Sequence, residues 1–288
     1  MLSVDSVAID NDKLSNVNLD SIDESADSTL GLVDDAKNTN EIENESRLTF
    51  NDKAPILGVS NNEPVLGATV PNYITSVDGN NGLINWIKSQ TDTDIFLGNR
   101  TFTGNGPWGG FSGVSNKHIY GGYAIGDGLT SYFDVGGIVF HSTSGNCNNL
   151  VFDGLKARDR LAWFSGTGGS LTNSVFNNCE CRAQFIWLGG WMATDQYRVI
   201  NVNFTNCRQT YGIDDPDGEY WDGHGQFGAV SGIYMENCNF INVTSGHHGG
   251  ALCIADESEY GSHTTGANAH AIQSDIKNSN FINVTSRY

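Results

Sequence analysis

The chain has 288 residues and a formal net charge of −18, with 33 acidic against 15 basic side chains. Such an acidic chain disfavours nucleic acid and anionic membrane surfaces as partners, because phosphate contacts need Lys and Arg. No run of 18 apolar residues occurs, so the sequence predicts no membrane-spanning helix. The length suits one large domain or two.

The N-terminal quarter differs in composition from the rest. Its first 70 residues hold 14 acidic and 4 basic side chains but one aromatic residue. Such a segment buries too little apolar surface to offset its ordering entropy, so we predict a disordered acidic leader over residues 1–71. Within it, the apolar stretches Ile56–Ser60 and Val65–Val70 are candidates for short strands that dock on the folded domain. The start lacks the basic and apolar regions of a signal peptide.

The C-terminal part of the chain, from Leu171 to Tyr288, repeats one pattern. Each copy centres on a Phe within a run of alternating polar and apolar residues that is rich in Asn. The anchors are Phe152, Phe176, Phe204, Phe240 and Phe281, separated by 24, 28, 36 and 41 residues. Self-similarity at such periods is typical of a stacked repeat architecture.

The content of each copy indicates the type of repeat. The runs are short, rich in Val, Ile and Phe, and separated by glycines, which predicts strands and turns rather than helices. We therefore predict an all-β fold, a right-handed parallel β-helix, in which equivalent residues of stacked coils form ladders. Phe and Asn are expected to point inward, glycine pairs to form the corners, and a coil to need about 22 residues, with longer spacings looped out as insertions.

Residues 72–288 are predicted to form this domain. A short helix over Leu83–Gln90, with Leu83, Trp86 and Ile87 on one face, is expected to cap its N-terminal end. The first coil follows over Thr93–Gly104, with further coils over His118–Gly128 and Gly136–Ser144. Because solenoids need caps at both ends and this chain stops directly after a repeat, we expect the domain to be truncated at its C-terminal end.

Four of these segments carry a resemblance to a known family, namely Asp94–Gly104, Lys117–Gly122, Asn237–Val243 and Gly249–Ile254. Over residues 80–288 the chain resembles the adhesin-like surface proteins of archaea, especially methanogens. Those are secreted, right-handed parallel β-helix proteins of the pectate-lyase-like type. The resemblance implies an extracellular or cell-surface location and an adhesion or binding role. The chain departs from that family in lacking a recognisable signal peptide and anchor, which we expect to lie outside this sequence.

Candidate binding residues lie in an insertion over Gln209–Val230. Its aromatic side chains suit stacking on sugar rings, and the predicted ligand-binding residues are Tyr211, Tyr220, Trp221 and His224. Its clustered carboxylates suit Ca²⁺, which prefers oxygen ligands, and the predicted metal ligands are Asp214, Asp215, Asp217 and Glu219. The spacing does not match an EF-hand, and a solvated acidic turn is the alternative. A second acidic, His-containing insertion follows over Ala255–Ala271.

Cysteines and glycosylation motifs leave alternatives open. The six cysteines are Cys147, Cys179, Cys181, Cys207, Cys238 and Cys253. We favour buried apolar ladder positions, over a disulfide between stacked residues or a metal site, because no C-x-x-C or paired Cys-His spacing occurs. N-x-[ST] motifs occur at Asn44 and, within the predicted domain, at the candidate acceptors Asn99, Asn203, Asn242 and Asn283.

An enzyme is the main alternative function. Asp214-Asp215 and Gly223-His224-Gly225 are similar to motifs of the polygalacturonases, but here they lie nine residues apart in one insertion, and that family's N-T-D and R-I-K motifs are absent. We therefore assign no catalytic residue. We expect a non-catalytic, adhesin-like protein that binds glycans or other cell-envelope components of its own or another cell, with no cofactor other than Ca²⁺. The alternatives are a polysaccharide lyase or glycoside hydrolase, and a structural spacer of the cell envelope.

Overall fold

A computed structural model of the chain describes residues 67–166, 168–182, 185–189, 196–210, 229–246, 250–254 and 274–286. Most of the predicted leader lies outside these residues, as do the middle of the first insertion and all of the second. Within the described ranges, no helix is long and apolar enough to cross a membrane.

The described elements are one helix and 22 short strands. The N-terminal half contains β1 (Ala68–Thr69), α1 (Leu83–Ser89), β2 (Asp94–Phe96), β3 (Thr101–Asn105), β4 (Ser115–Tyr120), β5 (Ser131–Gly136), β6 (Ile138–Ser142), β7 (Asn146–Asp153), β8 (Leu155–Ala157) and β9 (Arg160–Phe164). The C-terminal half contains β10 (Ser170–Asn177), β11 (Glu180–Cys181), β12 (Ile186–Gly189), β13 (Tyr197–Thr205), β14 (Arg208–Gln209), β15 (Ala229–Ser231), β16 (Ile233–Glu236), β17 (Asn239–Ile241), β18 (Thr244–Ser245), β19 (Cys253–Ile254), β20 (Asp275–Lys277), β21 (Asn280–Ile282) and β22 (Thr285–Ser286).

These strands form three long sheets, and the strand pairs in all three are parallel. The first sheet runs β1-β2-β4-β7-β10-β13-β16-β20, with β17 and β21 continuing beside β13. The second sheet runs β3-β5-β8-β11-β14-β18-β22, and the third runs β6-β9-β12-β15-β19. From β4 onward the chain passes through the first, second and third sheets in that order, as the repeat predicts. We call one such passage a turn. The fold is therefore mostly β, with long parallel sheets.

The five Phe anchors form a stack in the first sheet. Backbone register pairs Phe152 with Phe176, and then Phe204, Phe240 and Phe281 in turn. Successive ring centroids lie 4.8, 4.9, 4.7 and 5.1 Å apart, and the planes of neighbouring rings are nearly parallel. The first four rings are fully buried. The predicted Phe ladder is thus confirmed, and its register is kept although the spacing of the anchors varies from 24 to 41 residues.

Asparagine forms ladders too, and the ladder at the corner after the first sheet is exposed rather than inward as predicted, whereas Asn201 and Asn239 in other ladders are buried. Asn178, Asn206, Asn242 and Asn283 are exposed, at the corner after the first sheet, with φ of 50–54°. The side-chain amide of each later residue donates to the Asn of the preceding turn, at 3.1–3.2 Å. The left-handed backbone explains the change, because Asn tolerates this region far better than most residues and its amide can pair outside the core.

At the N-terminal end of the domain, the predicted helix is present and the first strand lies before the predicted start of the domain. Helix α1 ends one residue before the predicted Gln90 and buries Leu83, Ile84 and Ile87 in the main core, with Trp86 packed against it. Strand β1 pairs in parallel with β2, so the first sheet begins at Ala68 rather than after residue 71. Part of the apolar stretch Val65–Val70 therefore belongs to the folded domain, as a docked strand.

Two further predictions are resolved by the structure. The coil predicted over His118–Gly128 is wrong in its second half, because β4 ends at Tyr120 and residues 121–130 form a loop. Five of the six cysteines are free, buried thiols, namely Cys147, Cys179, Cys181, Cys207 and Cys238. Burial raises the pKa of the Cys179 thiol well above its usual range and that of Cys238 to about 12. These cysteines therefore behave as small apolar core residues.

Candidate functional site

A groove of about 780 Å³ lies where the first sheet turns into the second. One wall is the loop over residues 121–130, which we call the groove loop. The floor and other wall come from successive turns of the sheets. Besides the groove loop, the lining residues are Tyr120, Asp153, Gly154, Lys156, Asn177, Asn178, Cys179, Glu180, Asn206 and Arg208. The groove therefore crosses four turns along the stacking direction.

The groove loop is held in shape by the carboxylate of Asp127. It accepts backbone N–H bonds from Tyr123 at 2.7 Å, Ala124 at 3.0 Å and Leu129 at 2.9 Å. Burial of the carboxyl opposes ionisation, but these three donors outweigh it and lower the pKa of Asp127 below its ordinary value. The carboxylate thus accepts backbone N–H groups that strand pairing does not satisfy in this loop.

The base of the loop packs closely on the next turn. The N–H of Gly121 donates to the Asp153 carbonyl at 2.8 Å, and the hydroxyl of Ser131 donates to the Gly121 carbonyl at 2.7 Å. A Cβ on Gly121 would lie 2.1 Å from the Gly154 carbonyl oxygen, so this approach requires glycine. Ile125 packs on a small outer cluster that contains Tyr120 and Val151. The wall is therefore anchored at its base and by one side chain.

Asp153 occupies the floor of the groove. Its Oδ1 accepts hydrogen bonds from the side-chain amides of Asn177 and Asn178, both at 3.0 Å. Burial nevertheless raises the pKa of Asp153, and the nearby charge of Asp127 acts in the same direction. The Asn178 amide then accepts from Asn206 at 3.2 Å. A line of carboxyl and amide groups, able both to donate and to accept hydrogen bonds, follows the groove.

Charged side chains of alternating sign form the other side of the groove. Lys156, Glu180 and Arg208 occupy equivalent positions of β8, β11 and β14 in the second sheet. The Glu180 carboxylate lies 3.9 Å from Lys156 Nζ and 3.6 Å from an Arg208 guanidinium nitrogen. These partly exposed pairs contribute little to stability. They do keep both cations beside the groove and leave it without a strong charge of either sign.

A second polar group lies beside the groove, on the outer face of the first sheet. Asp94 Oδ1 lies 3.1 Å from His118 Nδ1 and accepts a long hydrogen bond of 3.5 Å from the Tyr120 hydroxyl. The second ring nitrogen of His118 lies 3.4 Å from Asn149 Oδ1. Burial, followed by the charges of Asp94 and Asp153, raises the pKa of Tyr120. Tyr120 thus stays a neutral hydroxyl at the groove wall.

The residues predicted as binding or calcium sites lie outside the described residues. This applies to the predicted ligand-binding residues Tyr211, Tyr220, Trp221 and His224 and to the predicted calcium ligands Asp214, Asp215, Asp217 and Glu219. The described flanking residues show that the insertion leaves from β14 in the second sheet and returns at β15 in the third. Across the described part of the chain, no three acidic, His or Cys side chains cluster in a way that could hold a metal ion.

The predicted glycosylation sites differ in surroundings. Asn99 is exposed, at φ 51°. The amides of Asn242 and Asn283 donate within the corner ladder, and the Oδ1 of half-buried Asn203 accepts from Asn239 at 2.7 Å. A glycan on Asn242 or Asn283 would occupy an amide nitrogen that holds the ladder. Of the four sites, glycosylation of Asn99 would therefore disturb the stacked sheets least.

The groove residues were missed by sequence reasoning for two reasons. The sequence pattern predicts a coil of the repeat over His118–Gly128, whereas the structure of the groove loop depends on one carboxylate, Asp127. The floor and far wall join residues that lie 24–28 positions apart in the chain. One signal was present, since the earliest copy of the repeat has Asp153-Gly154 where the next has Asn177-Asn178.

Comparisons with protein-family models, with curated proteins and with solved structures find no match to this chain.

Proposed function

We propose that the three sheets are the faces of a right-handed parallel β-helix. The support is the order of the strands along the chain. The chain passes through the first, second and third sheets and then returns to the first, where it adds the next strand to that sheet. Connections between parallel strands of one sheet are right-handed in about 98% of cases. The stacked Phe rings and the corner Asn ladder both repeat once per passage.

We further propose that the protein is a non-catalytic, adhesin-like protein of the cell surface that binds a glycan in the groove. The observation that carries this proposal is the composition of the groove, in which amides, carboxylates and cations alternate over four turns. Sugar hydroxyls both donate and accept hydrogen bonds, so such a lining suits a polyhydroxylated chain. A groove without a strong net charge favours a glycan that is neutral or carries few charges.

The carboxylates of the groove already have hydrogen-bond or ion-pair partners, which supports binding rather than catalysis. Asp127 is bound by three backbone N–H groups, Asp153 by two Asn amides, and Glu180 by two cations. A glycoside hydrolase remains the second candidate, favoured by one observation. The raised pKa of Asp153, close to a second carboxylate, is the property expected of a general acid.

The test is a glycan-array screen combined with product analysis on the same sugars. We expect retention of a glycan without cleavage, and at least about tenfold weaker retention by Glu180→Ala, because hydrogen bonds to charged groups are among the stronger ones. Asp134→Ala is the matched control, since it breaks a comparable surface pair with Arg158, at 2.7 Å, away from the groove.

Three results would contradict this proposal. Unchanged retention by Glu180→Ala combined with loss in Tyr220→Ala or Trp221→Ala would move the site to the insertion. Release of sugar products that disappears in Asp153→Asn would establish the hydrolase. Absence of any retained glycan would favour a structural spacer.

A further inference from the structure

A cluster of three aromatic rings lies on the third sheet, away from the groove. Trp108 belongs to the segment 106–114 between β3 and β4, and its ring centroid lies 4.1 Å from that of His141, at an interplanar angle of 81°. Trp163 lies 6.2 Å from Trp108 and 5.5 Å from His141. His141 and Trp163 are paired in register, and Trp187 occupies the next register position. Aromatic positions thus follow one another along the stack.

Trp108 is 72% exposed, yet the segment that carries it is firmly attached. The Gly109 N–H donates to His141 Nδ1 at 3.2 Å, and the Phe111 N–H donates to the His141 carbonyl at 2.8 Å. Lys88 Nζ donates to the Gly110 carbonyl at 3.0 Å, and the Phe111 ring is fully buried in the core. The exposed indole is therefore held in a fixed position, which lowers the entropic cost of binding a ligand.

His141 supplies an unused hydrogen-bond donor inside this cluster. The residue is 1% exposed, and burial lowers its pKa to about 4, so the ring is neutral at physiological pH. Because Nδ1 accepts from Gly109, the proton of the neutral ring sits on Nε2. Nε2 is buried and has no hydrogen-bond partner. Because Nε2 is buried, a ligand on the exposed indole does not contact it, and His141 acts by holding the segment that carries Trp108.

The chemistry of the cluster restricts its ligand. An indole face carries negative charge density and attracts the weakly positive C–H groups of a flat, amphipathic ring. Nucleic-acid bases also stack on aromatic rings, but the proteins that bind them have a basic groove as well. This chain carries a net charge of −18, which disfavours nucleic acid as the ligand. Trp108 is the exposed ring of this cluster, so an uncharged, amphipathic sugar ring that stacks on its face is the ligand favoured by the indole and by the acidity of the chain.

We propose that Trp108, supported from within the fold by Trp163 and His141, forms a second glycan-contact site, which stacks on a pyranose ring of a neutral β-1,4-linked glycan. The β-1,4 linkage with equatorial hydroxyls leaves both ring faces covered by C–H groups, which suit the exposed face of the Trp108 indole. This site does not depend on whether the groove binds a ligand, because the two lie on different sheets.

The test uses cellohexaose as the probe, measured by isothermal titration and by tryptophan fluorescence on the full chain. We expect binding by the wild-type protein, at least about tenfold weaker binding by Trp108→Ala, and a smaller loss in Trp108→Phe, which keeps a stacking face. His141→Asn retains an acceptor for Gly109 but removes the imidazole ring on which Trp108 packs, and should also weaken binding. Tyr73→Ala is the matched control, because Tyr73 is another exposed aromatic residue, at 76% exposure.

Several outcomes would overturn this site. One is equal binding by the wild type and Trp108→Ala when both melt at the same temperature. Absence of cellohexaose binding would do so too, as would binding of choline in its place, which would identify a cation-binding cluster. Loss of binding in Glu180→Ala with none in Trp108→Ala would assign the sugar to the groove and leave the proposed function standing without this site.

Discussion

At the scale of single residues, the corner after the first sheet is built on left-handed backbone. Asn206 has φ 52°, donates its amide to Asn178 and accepts from Asn242. One turn before Asn178, the equivalent position is Gly154, with φ 68°. Asn and Gly share this position because both tolerate the left-handed region, whereas Asn adds the side-chain ladder.

Substitution of Asn206 should separate these two contributions. Asn206→Gly keeps the backbone conformation and loses two exposed hydrogen bonds, for which we expect a loss of about 1–2 kcal/mol in the free energy of unfolding. Asn206→Ala loses the same bonds and adds about 1–2 kcal/mol of backbone strain. Urea denaturation of the three proteins checks this order. Equal stability of the Gly and Ala variants would show that the left-handed conformation is not required.

The buried Phe stack offers a comparison between an interior and a terminal ring. Phe204 is fully buried between Phe176 and Phe240, whereas Phe281 is 46% exposed and stacks on Phe240 alone within the described residues. Phe204→Ala should cost about 3–5 kcal/mol of unfolding free energy, and Phe281→Ala clearly less, because less apolar surface and a smaller cavity are involved. Chemical denaturation measures both, and similar losses at the two positions would contradict the described stack.

At the scale of elements, the groove loop depends on one side chain. Asp127→Ala removes the acceptor of three backbone N–H groups but leaves the strands on either side paired. We expect faster proteolytic cleavage within residues 121–130 and weaker retention of groove ligands, with little change in the melting temperature of the domain. Asp134→Ala, at an exposed position of β5, is the control. A large drop in melting temperature would show instead that the loop stabilises the whole stack.

The sequence predicts those elements whose cause is local. Helix α1 follows from the spacing of Leu83 and Ile87, and the Phe ladder follows from a repeat that must place equivalent residues in register. The inward direction of Asn is wrong at the corner after the first sheet, because alternation alone does not reveal the left-handed φ at Asn178 and Asn206. The groove loop is missed because its conformation depends on Asp127, several residues from the N–H of Tyr123 that it binds. Sites that combine neighbouring turns, such as Glu180 with Arg208, require the register itself.

At the scale of the whole molecule, two titrating groups act on stability in opposite directions, half-buried Asp153 and buried His141. Both belong to strands that pair with a neighbouring strand in parallel. The pKa of Asp153 is raised, so the native protein retains its proton more readily and this group's contribution to stability falls as the pH rises above 3.8. The pKa of His141 is lowered, which gives the reverse dependence.

His141 should therefore make the domain sensitive to mild acid. Its pKa is about 4 in the folded protein against 6.5 for an ordinary His, so between these values the unfolded chain binds a proton that the folded chain does not. The contribution is fully present above pH 6.5 and is lost as the pH falls toward 4. His141→Asn does not titrate, so its melting temperature should fall less than that of the wild type across this window. Asp153 is common to both proteins, and its opposite effect cancels in the difference. The same fall in melting temperature in both proteins from pH 7 to pH 4 would contradict the buried, neutral imidazole.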